Sequence, residues 1–324
     1  MSSVLITGGS GFIGSYFNES LSGTIINYDI RKPIHPNNNI YEKGDIRDKE
    51  RLRQVVEKYK PTLIIHLAAA HHDFGISREE YFSVNKTGLE VICEVAEKNS
   101  ITEIIYYSSV AVYGESSTPS TEASKTTPSN DYGDSKLAGE VVLQGWAAKD
   151  PKRKALIIRP VLVHGARNTA NMFNLIKQID SGLYANIGAG KNIKSICYIE
   201  NIVDATIWAF DSFNSGLKIY NYADDPHLTS GEAVEIIRMA LGKRKPMRIP
   251  LWLGIMVAIP LDIYIKVSGK NFPISSARVK KLNTATQHLA ENIKKDGFVA
   301  KFDNREGLLK MVEWYTENKD TSRI

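Results

Sequence analysis

The chain reads as an α/β protein built on a doubly wound parallel sheet, and three observations carry that expectation. Short apolar runs alternate with segments of helical period through the first half of the chain. The first run ends in a glycine-rich turn. The second ends in an acid about 20 residues later, the spacing of a dinucleotide-binding strand–helix–strand unit.

Residues 4–6 form the first strand, and Thr7-Gly8-Gly9-Ser10-Gly11-Phe12-Ile13-Gly14 turns from it into a helix. Gly8 allows the tight turn, Gly11 a close backbone approach, and Gly14 the packing of helix on strand. Such a turn presents backbone N–H groups and a helix N-terminus to a pyrophosphate. The second strand, 24–28, leads to Asp29. Further strands are expected at 62–67, 103–107 and 155–158, with helices near 14–21, 49–58, 81–99 and 134–148. Alternation of this kind gives right-handed crossovers and a ligand beyond the C-terminal strand ends, a Rossmann-type arrangement. The polar segments 115–130 and 164–171 read as loops over that edge.

After about residue 165 the pattern loses regularity, with short helices, a Gly188-Ala189-Gly190 turn and a strand-like 193–199. The chain therefore divides into a dinucleotide-binding domain, 1–165, and a smaller C-terminal substrate-binding lobe, 166–324, with some later segments returning to the first. No repeat or low-complexity tract appears. The apolar segment 249–261, with Trp252, Leu253, Ile255, Met256 and Val257, is too short to span a bilayer. It reads as a buried or substrate-lining helix ended by Pro260 and Asp262, or as an interfacial membrane contact.

The chain has 41 Lys and Arg against 36 Asp and Glu, a net charge of +5. That surplus is mild and lacks a dense basic stripe, which sets nucleic acid aside. Lys152-Arg153-Lys154 and Lys243-Arg244-Lys245 read as solvated turns. Cys93 and Cys197 have no metal or redox spacing, which suits a reducing, cytoplasmic setting. The opening apolar run reads as a strand, not a signal peptide.

Tyr132 and Lys136 stand four apart at the start of a helix, on one face. A nearby ammonium favours the phenolate, so Lys136 is expected to lower the Tyr132 pKa and fit it for moving an alcohol proton. Ser108-Ser109 follow a strand at the same sheet edge, where a hydroxyl can bond the same substrate oxygen. His71-His72-Asp73 invites a metal reading, but adjacent histidines do not easily put both rings on one ion. No metal is expected, and His71 is kept as a specificity candidate.

In order and at suitable spacing stand Thr7 to Gly14, His66-Leu67-Ala68-Ala69, Asn85, Ser108-Ser109-Val110-Ala111-Val112-Tyr113-Gly114, Tyr132-Gly133-Asp134-Ser135-Lys136 and Arg159-Pro160. Over nearly its whole length the chain resembles the extended short-chain dehydrogenase/reductases, in particular the NAD-dependent nucleotide-sugar epimerase/dehydratase group. The resemblance implies Tyr132 as acid/base, Lys136 on the nicotinamide ribose, and Ser109 polarising the reacting C–O bond. It implies that Gly8, Gly11, Phe12, Ile13, Gly14, Asp29, Asp45, Ile46, Leu67, Ala68 and Ala69 hold NAD. Asp29 would take the adenosine ribose diol, although Arg31 and Lys32 nearby would suit a 2′-phosphate. Asn85 is assigned a structural role. His71, Ser109, Asn171, Lys194 and Arg278 are the substrate candidates, Lys194 standing where the group often places a diphosphate-gripping arginine.

Two departures matter. Val110 and Ala111 occupy the positions where 4,6-dehydratases carry an Asp-Glu pair, so elimination is disfavoured. His164 stands where the group usually has tyrosine and reads as a packing substitution. The expected activity is C4 epimerisation of a nucleotide-diphosphate sugar through a keto-sugar. The alternatives are a nucleotide-sugar 4-dehydrogenase or ketoreductase, a sterol-like 3-hydroxyl dehydrogenase, and a non-catalytic NAD sensor or scaffold. The expected assembly is a homodimer through helices 81–99 and 134–148, with no membrane partner.

Overall fold

In the computed structural model, residues 3–35, 38–71, 75–116, 118–268 and 276–319 are described. The strands in chain order are β1 (Ser3–Thr7), β2 (Thr24–Asp29), β3 (Ile40–Lys43), β4 (Leu63–His66), β5 (Glu103–Tyr107), β6 (Lys154–Pro160), β7 (Leu162–His164), β8 (Ala185–Ile187), β9 (Ile193–Lys194), β10 (Ile196–Tyr198), β11 (Gly216–Tyr222), β12 (Leu228–Thr229) and β13 (Met247–Ile249). Seven of them form one sheet in the order β11-β6-β5-β4-β1-β2-β3. All its pairings are parallel. The chain runs outward from β1 through β2 to β3, then returns to place β4 on the other side of β1. That reversal opens a crevice past the strand ends, where an α/β sheet binds its ligand.

Alternate residues of these strands feed two cores. Val4, Ile6, Ile65, Ile105 and Leu156 face one side with Phe17, Ile202 and Phe210. Leu5, Ile26, Ile64, Ile104 and Ile157 face the other with Leu52, Ile92 and Leu143. Burial on both faces is why the strands read as continuous apolar runs.

Several boundaries differ from the sequence reading. The helix after the glycine turn starts at Phe12 and runs to Ser20. The helix carrying Tyr132 starts at Asp131, because Asn130 caps it by accepting from the Gly133 N–H at 2.8 Å. Strand β3 carried no readable signal: its four residues include Glu42 and Lys43, and an edge strand needs no apolar run. The expected strand at 193–199 is two, since β9 pairs with β12 and β10 with β7.

The lobe has its own core, in which Phe173, Ile176, Val234, Ile237, Leu308 and Met311 pack three helices, Asn171–Asp180, Ser230–Ala240 and Asn304–Asn318. β8 pairs with β13, and the helix Leu251–Ser268 follows. Here the expectation of a buried helix ending at Pro260 needs correction. The helix continues through Pro260, forgoing the bond its missing N–H would have made. Trp252, Met256 and Val257 on it are exposed. A helix apolar on both faces has only one face against the lobe.

Beneath the crevice lies a buried ion pair. The Arg159 guanidinium of β6 donates to both Glu140 carboxylate oxygens, Nε at 2.8 Å and Nη2 at 2.5 Å. It also donates to the Tyr113 hydroxyl at 2.7 Å, and Ser108 Oγ donates to Glu140 at 2.5 Å. Both charged side chains are almost wholly out of water. Arg159→Met should cost about 3–5 kcal/mol of stability, the usual effect of leaving a buried carboxylate unpaired. Glu140→Leu combined with Arg159→Met should lose much less than the sum of the two single changes. Urea unfolding of the three variants checks both expectations.

Candidate active site

The turn after β1 is shaped by what surrounds it. Gly8 has φ +74, and a Cβ there would meet the Ala68 N at 2.6 Å. A Cβ on Gly14 would meet the Gly8 carbonyl at 2.5 Å. Thus the turn closes against both its own helix and the segment leaving β4. Asn27 steadies it, donating from Nδ2 to Ser10 Oγ at 3.1 Å. Gly11 caps the helix Phe12–Ser20 with no side chain, so its first N–H groups face outward unanswered by a cap. This cradle suits a dinucleotide pyrophosphate.

Asp29 lies beside it at the end of β2. Its carboxylate accepts from the Ser10 N–H at 3.0 Å and the Arg31 N–H at 2.9 Å. That fixes an anion where a ribose diol would reach it. Asp45 is differently engaged: it is half-exposed and forms an ion pair with Arg47, whose Nη2 lies at 2.6 Å. Ile46 is buried, its side chain packed against Gly88.

Leu67, Ala68 and Ala69 follow β4, and the Leu67 N–H donates to the Thr7 carbonyl at 3.0 Å. Asn85 pins this segment. It accepts from the Ala70 N–H at 2.9 Å, donates to the Ala70 carbonyl at 3.0 Å, and donates to Ser135 Oγ at 2.9 Å. One buried amide thereby joins the turn after β4 to the helix Asp131–Ala148. It sits in a π-helical turn, Ser83–Thr87.

Lys136 is buried and donates from Nζ to the Tyr107 carbonyl at 2.6 Å. Burial pulls its pKa down to about 7, and Glu140 only partly offsets that. Tyr132 is half-buried one helical turn earlier, its ring 6.0 Å from that of Tyr81. A Cβ on Gly133 would touch the Ala111 carbonyl at 2.5 Å, so the start of this helix rests on the turn Val110–Tyr113. Ser109 precedes that turn, half-buried, accepting from the Ala111 N–H at 3.1 Å. Ser108 is instead buried on Glu140. The two serines therefore differ, Ser108 being buried on Glu140 and Ser109 half-buried on the turn Val110–Tyr113.

The lobe candidates are more scattered. Lys194 is half-buried on β9, opposite Leu228. Asn171 opens its helix in an exposed position. His71 is exposed at the crevice edge, its Nδ1 3.2 Å from the Ala69 carbonyl. His72 and Asp73 lie outside the described residues, as does the Arg278 side chain. His164 is fully buried beside the Tyr198 ring, and burial pulls its pKa to about 3. Glu140 escaped the sequence reading, although it stands one helical turn beyond Lys136 as a charge within a helix rich in small and apolar residues.

The model of the NAD dependent epimerase/dehydratase family matches residues 4–223. The N-acetyl-alpha-D-glucosaminyl-diphospho-ditrans,octacis-undecaprenol 4-epimerase of Escherichia coli O157:H7 is 35% identical over 317 residues, 96% of this chain and 94% of that protein. UDP-glucose 4-epimerase of Vibrio cholerae is 27% identical over 282 residues, 83% and 82% of the two chains. The crystal structure of UDP-glucose 4-epimerase from Thermotoga maritima superposes with a TM-score of 0.78 at 20% identity, covering 98% of this chain and 100% of that one, a likeness of fold.

The Lys136 environment gives a signed expectation. Between about pH 7 and the ordinary lysine range, the unfolded chain holds a proton that the folded chain has released. Stability without cofactor should therefore gain a rising contribution across that interval. Lys136→Met should remove that contribution and be no less stable near neutrality. Urea unfolding of both proteins at a series of pH values measures the difference.

Proposed function

The chain belongs to the NAD-dependent epimerase/dehydratase family and is thus an NAD-using enzyme, and from that premise we propose that it epimerises C4 of a sugar carried on a diphosphate. The observation that carries this reading is the placing of Lys136 Nζ on the Tyr107 carbonyl, one helical turn from Tyr132 and two residues before Ser109. Tyr132 and Lys136 are the proposed acid/base pair, and Ser109 the donor to the reacting oxygen. When bound, NAD supplies a reversible hydride acceptor for the sugar carbon. Gly8, Gly11 and Gly14 with Phe12 and Ile13 would hold its pyrophosphate. Asp29 would hold the adenosine ribose, Asp45 and Ile46 the adenine, and Leu67 to Ala69 the wall between.

Tyr132 takes the C4 hydroxyl proton and returns it after the keto-sugar has turned over. Ser109 donates a hydrogen bond to that oxygen throughout. Lys136, desolvated and one turn below, stabilises the tyrosinate when protonated. Val110 and Ala111 offer no carboxylate, so neither the C5 proton nor the C6 hydroxyl has a partner for elimination. Lys194 binds the diphosphate, with Asn171, His71 and Arg278 as sugar or carrier contacts. The helices Gly88–Lys98 and Asp131–Ala148 form the proposed dimer face, with Val141 exposed on the latter.

For the carrier of the diphosphate, a nucleoside is the first reading, supported by the Vibrio relative. A polyprenol is the second. It is favoured by the exposed apolar helix Leu251–Ser268 and by the Escherichia relative, whose named substrate is a polyprenol-linked sugar. Turnover of UDP-N-acetylglucosamine compared with its undecaprenyl-diphosphate counterpart decides between them. Product formed without added NAD and without net reduction separates epimerase from dehydrogenase.

Tyr132→Phe should lower turnover by about 10²–10⁴-fold while NAD binding stays near normal, since only the proton carrier is lost. Retained activity would exclude the mechanism. Lys194→Ala should raise KM far more than it lowers kcat, because a remote diphosphate contact changes little between ground and transition states. Steady-state kinetics on the accepted substrate, paired with calorimetric NAD titration, measures both.

A further inference from the structure

Among the described residues, nothing covers one apolar face of the helix Leu251–Ser268. Its inner face is settled: Ala258 is fully buried, and a Cβ on Gly254 would meet Ile187 of β8 at 2.5 Å. The Asp262 carboxylate is engaged as well, accepting from the Ser276 N–H at 3.1 Å. The opposite side carries Trp252, Leu253, Met256, Val257, Ile259 and Tyr264, all exposed, with Val257 at 64%. These six are among only sixteen exposed large hydrophobic side chains across the described residues, so they form a patch and not the usual scatter. An apolar helix of this kind is normally covered on every side. No helix among the described residues is long and apolar enough to cross a membrane.

Charge indicates what covers it. Residues 243–290 hold nine Lys and Arg and a single acid, Asp262. The rest of the chain has 32 Lys and Arg against 35 Asp and Glu. The whole positive surplus therefore lies in the sequence around this helix. Arg244, Lys245 and Arg248 are exposed just ahead of its first turn. Trp252 and Tyr264, amphipathic rings of the kind that settle at headgroup level, stand about 18 Å apart along it. A second copy of the chain would bring like charges together around a two-fold contact, whereas an anionic bilayer meets the cations with opposite charge.

We propose that the helix Leu251–Ser268 docks this protein on anionic membranes, lying in the bilayer interface with its Trp252–Met256–Val257 face immersed and the neighbouring cations on lipid headgroups. Docked in this way, β8 would lie just above the lipid, and the chain leaves β8 directly for Lys194 on β9. The inference does not depend on which carrier the sugar has.

The test uses the full chain with vesicles of phosphatidylcholine alone or containing about one-third phosphatidylglycerol. The protein should sediment with the anionic vesicles, less with the neutral ones, and less at high salt, with a blue shift of Trp252 fluorescence that Trp252→Phe removes. Met256→Glu combined with Val257→Glu should lower partitioning at least about tenfold. NAD binding and thermal melting should stay unchanged. Arg244→Gln with Arg248→Gln should weaken anionic binding only. Failure of the native protein to sediment at any lipid concentration overturns the proposal, as does native-like binding by the double Glu variant. So does light scattering in which that variant merely breaks a dimer. Sugar turnover is followed in the same samples: turnover without vesicle binding rejects docking alone, and vesicle binding without turnover rejects the enzymatic reading alone.

Discussion

The Glu140–Arg159 pair is the interaction on which the rest of the crevice depends. Two charges this far from water persist only if each finds several partners. Glu140 accepts from Arg159 and Ser108, and Arg159 also donates to Tyr113, whose hydroxyl in turn donates to Asn221 at 2.8 Å. Those contacts tie together the helix Asp131–Ala148, β6, β11 and the turn after β5. Lys136 is one helical turn from Glu140, and Ser109 is the residue after Ser108. The positions of both candidate groups are therefore inherited from a polar cluster that lies wholly beneath them.

A second constraint acts on the other side of β1. The glycine turn has little side-chain bulk of its own, so its shape comes from its neighbours. Ala68 presses on Gly8, Asn27 reaches Ser10, and Asp29 accepts from the Ser10 N–H. Asn85 then fixes the turn after β4 to the helix that carries Tyr132. The segment after β4 and the helix that carries Tyr132 and Lys136 thus share one buried amide. A preorganised arrangement of this kind avoids ordering backbone when a ligand arrives.

The lobe follows another logic. Its core is made by three helices, and the Leu251–Ser268 helix is laid on the outside of β8. Burying the second face of that helix within the lobe would need another layer of structure. Among the described residues no such layer is present, and the apolar surface stays open beside a strongly cationic stretch. That combination would be a liability for a protein surrounded only by water, and it is useful at a lipid surface.

Much of this was legible in the sequence. The βαβ alternation, the glycine spacing, Asp29, and the Tyr132–Lys136 pair are local patterns, set by helical and strand periods acting over a few residues. The family followed from their order along the chain. Tertiary structure alone decided the remainder. The family resemblance had already singled out Ser109, whereas only the tertiary structure shows Glu140 beneath Ser108, a contact between residues 32 apart in the chain. Strand β3 exists because β2 offers it an open edge, which no four-residue pattern announces. The apolar run at 249–261 left a buried helix, a substrate-lining one and an interfacial membrane contact open, because hydrophobicity states only that a surface avoids water. Whether protein or something else covers it depends on how many faces the neighbouring elements can reach, and here they reach one.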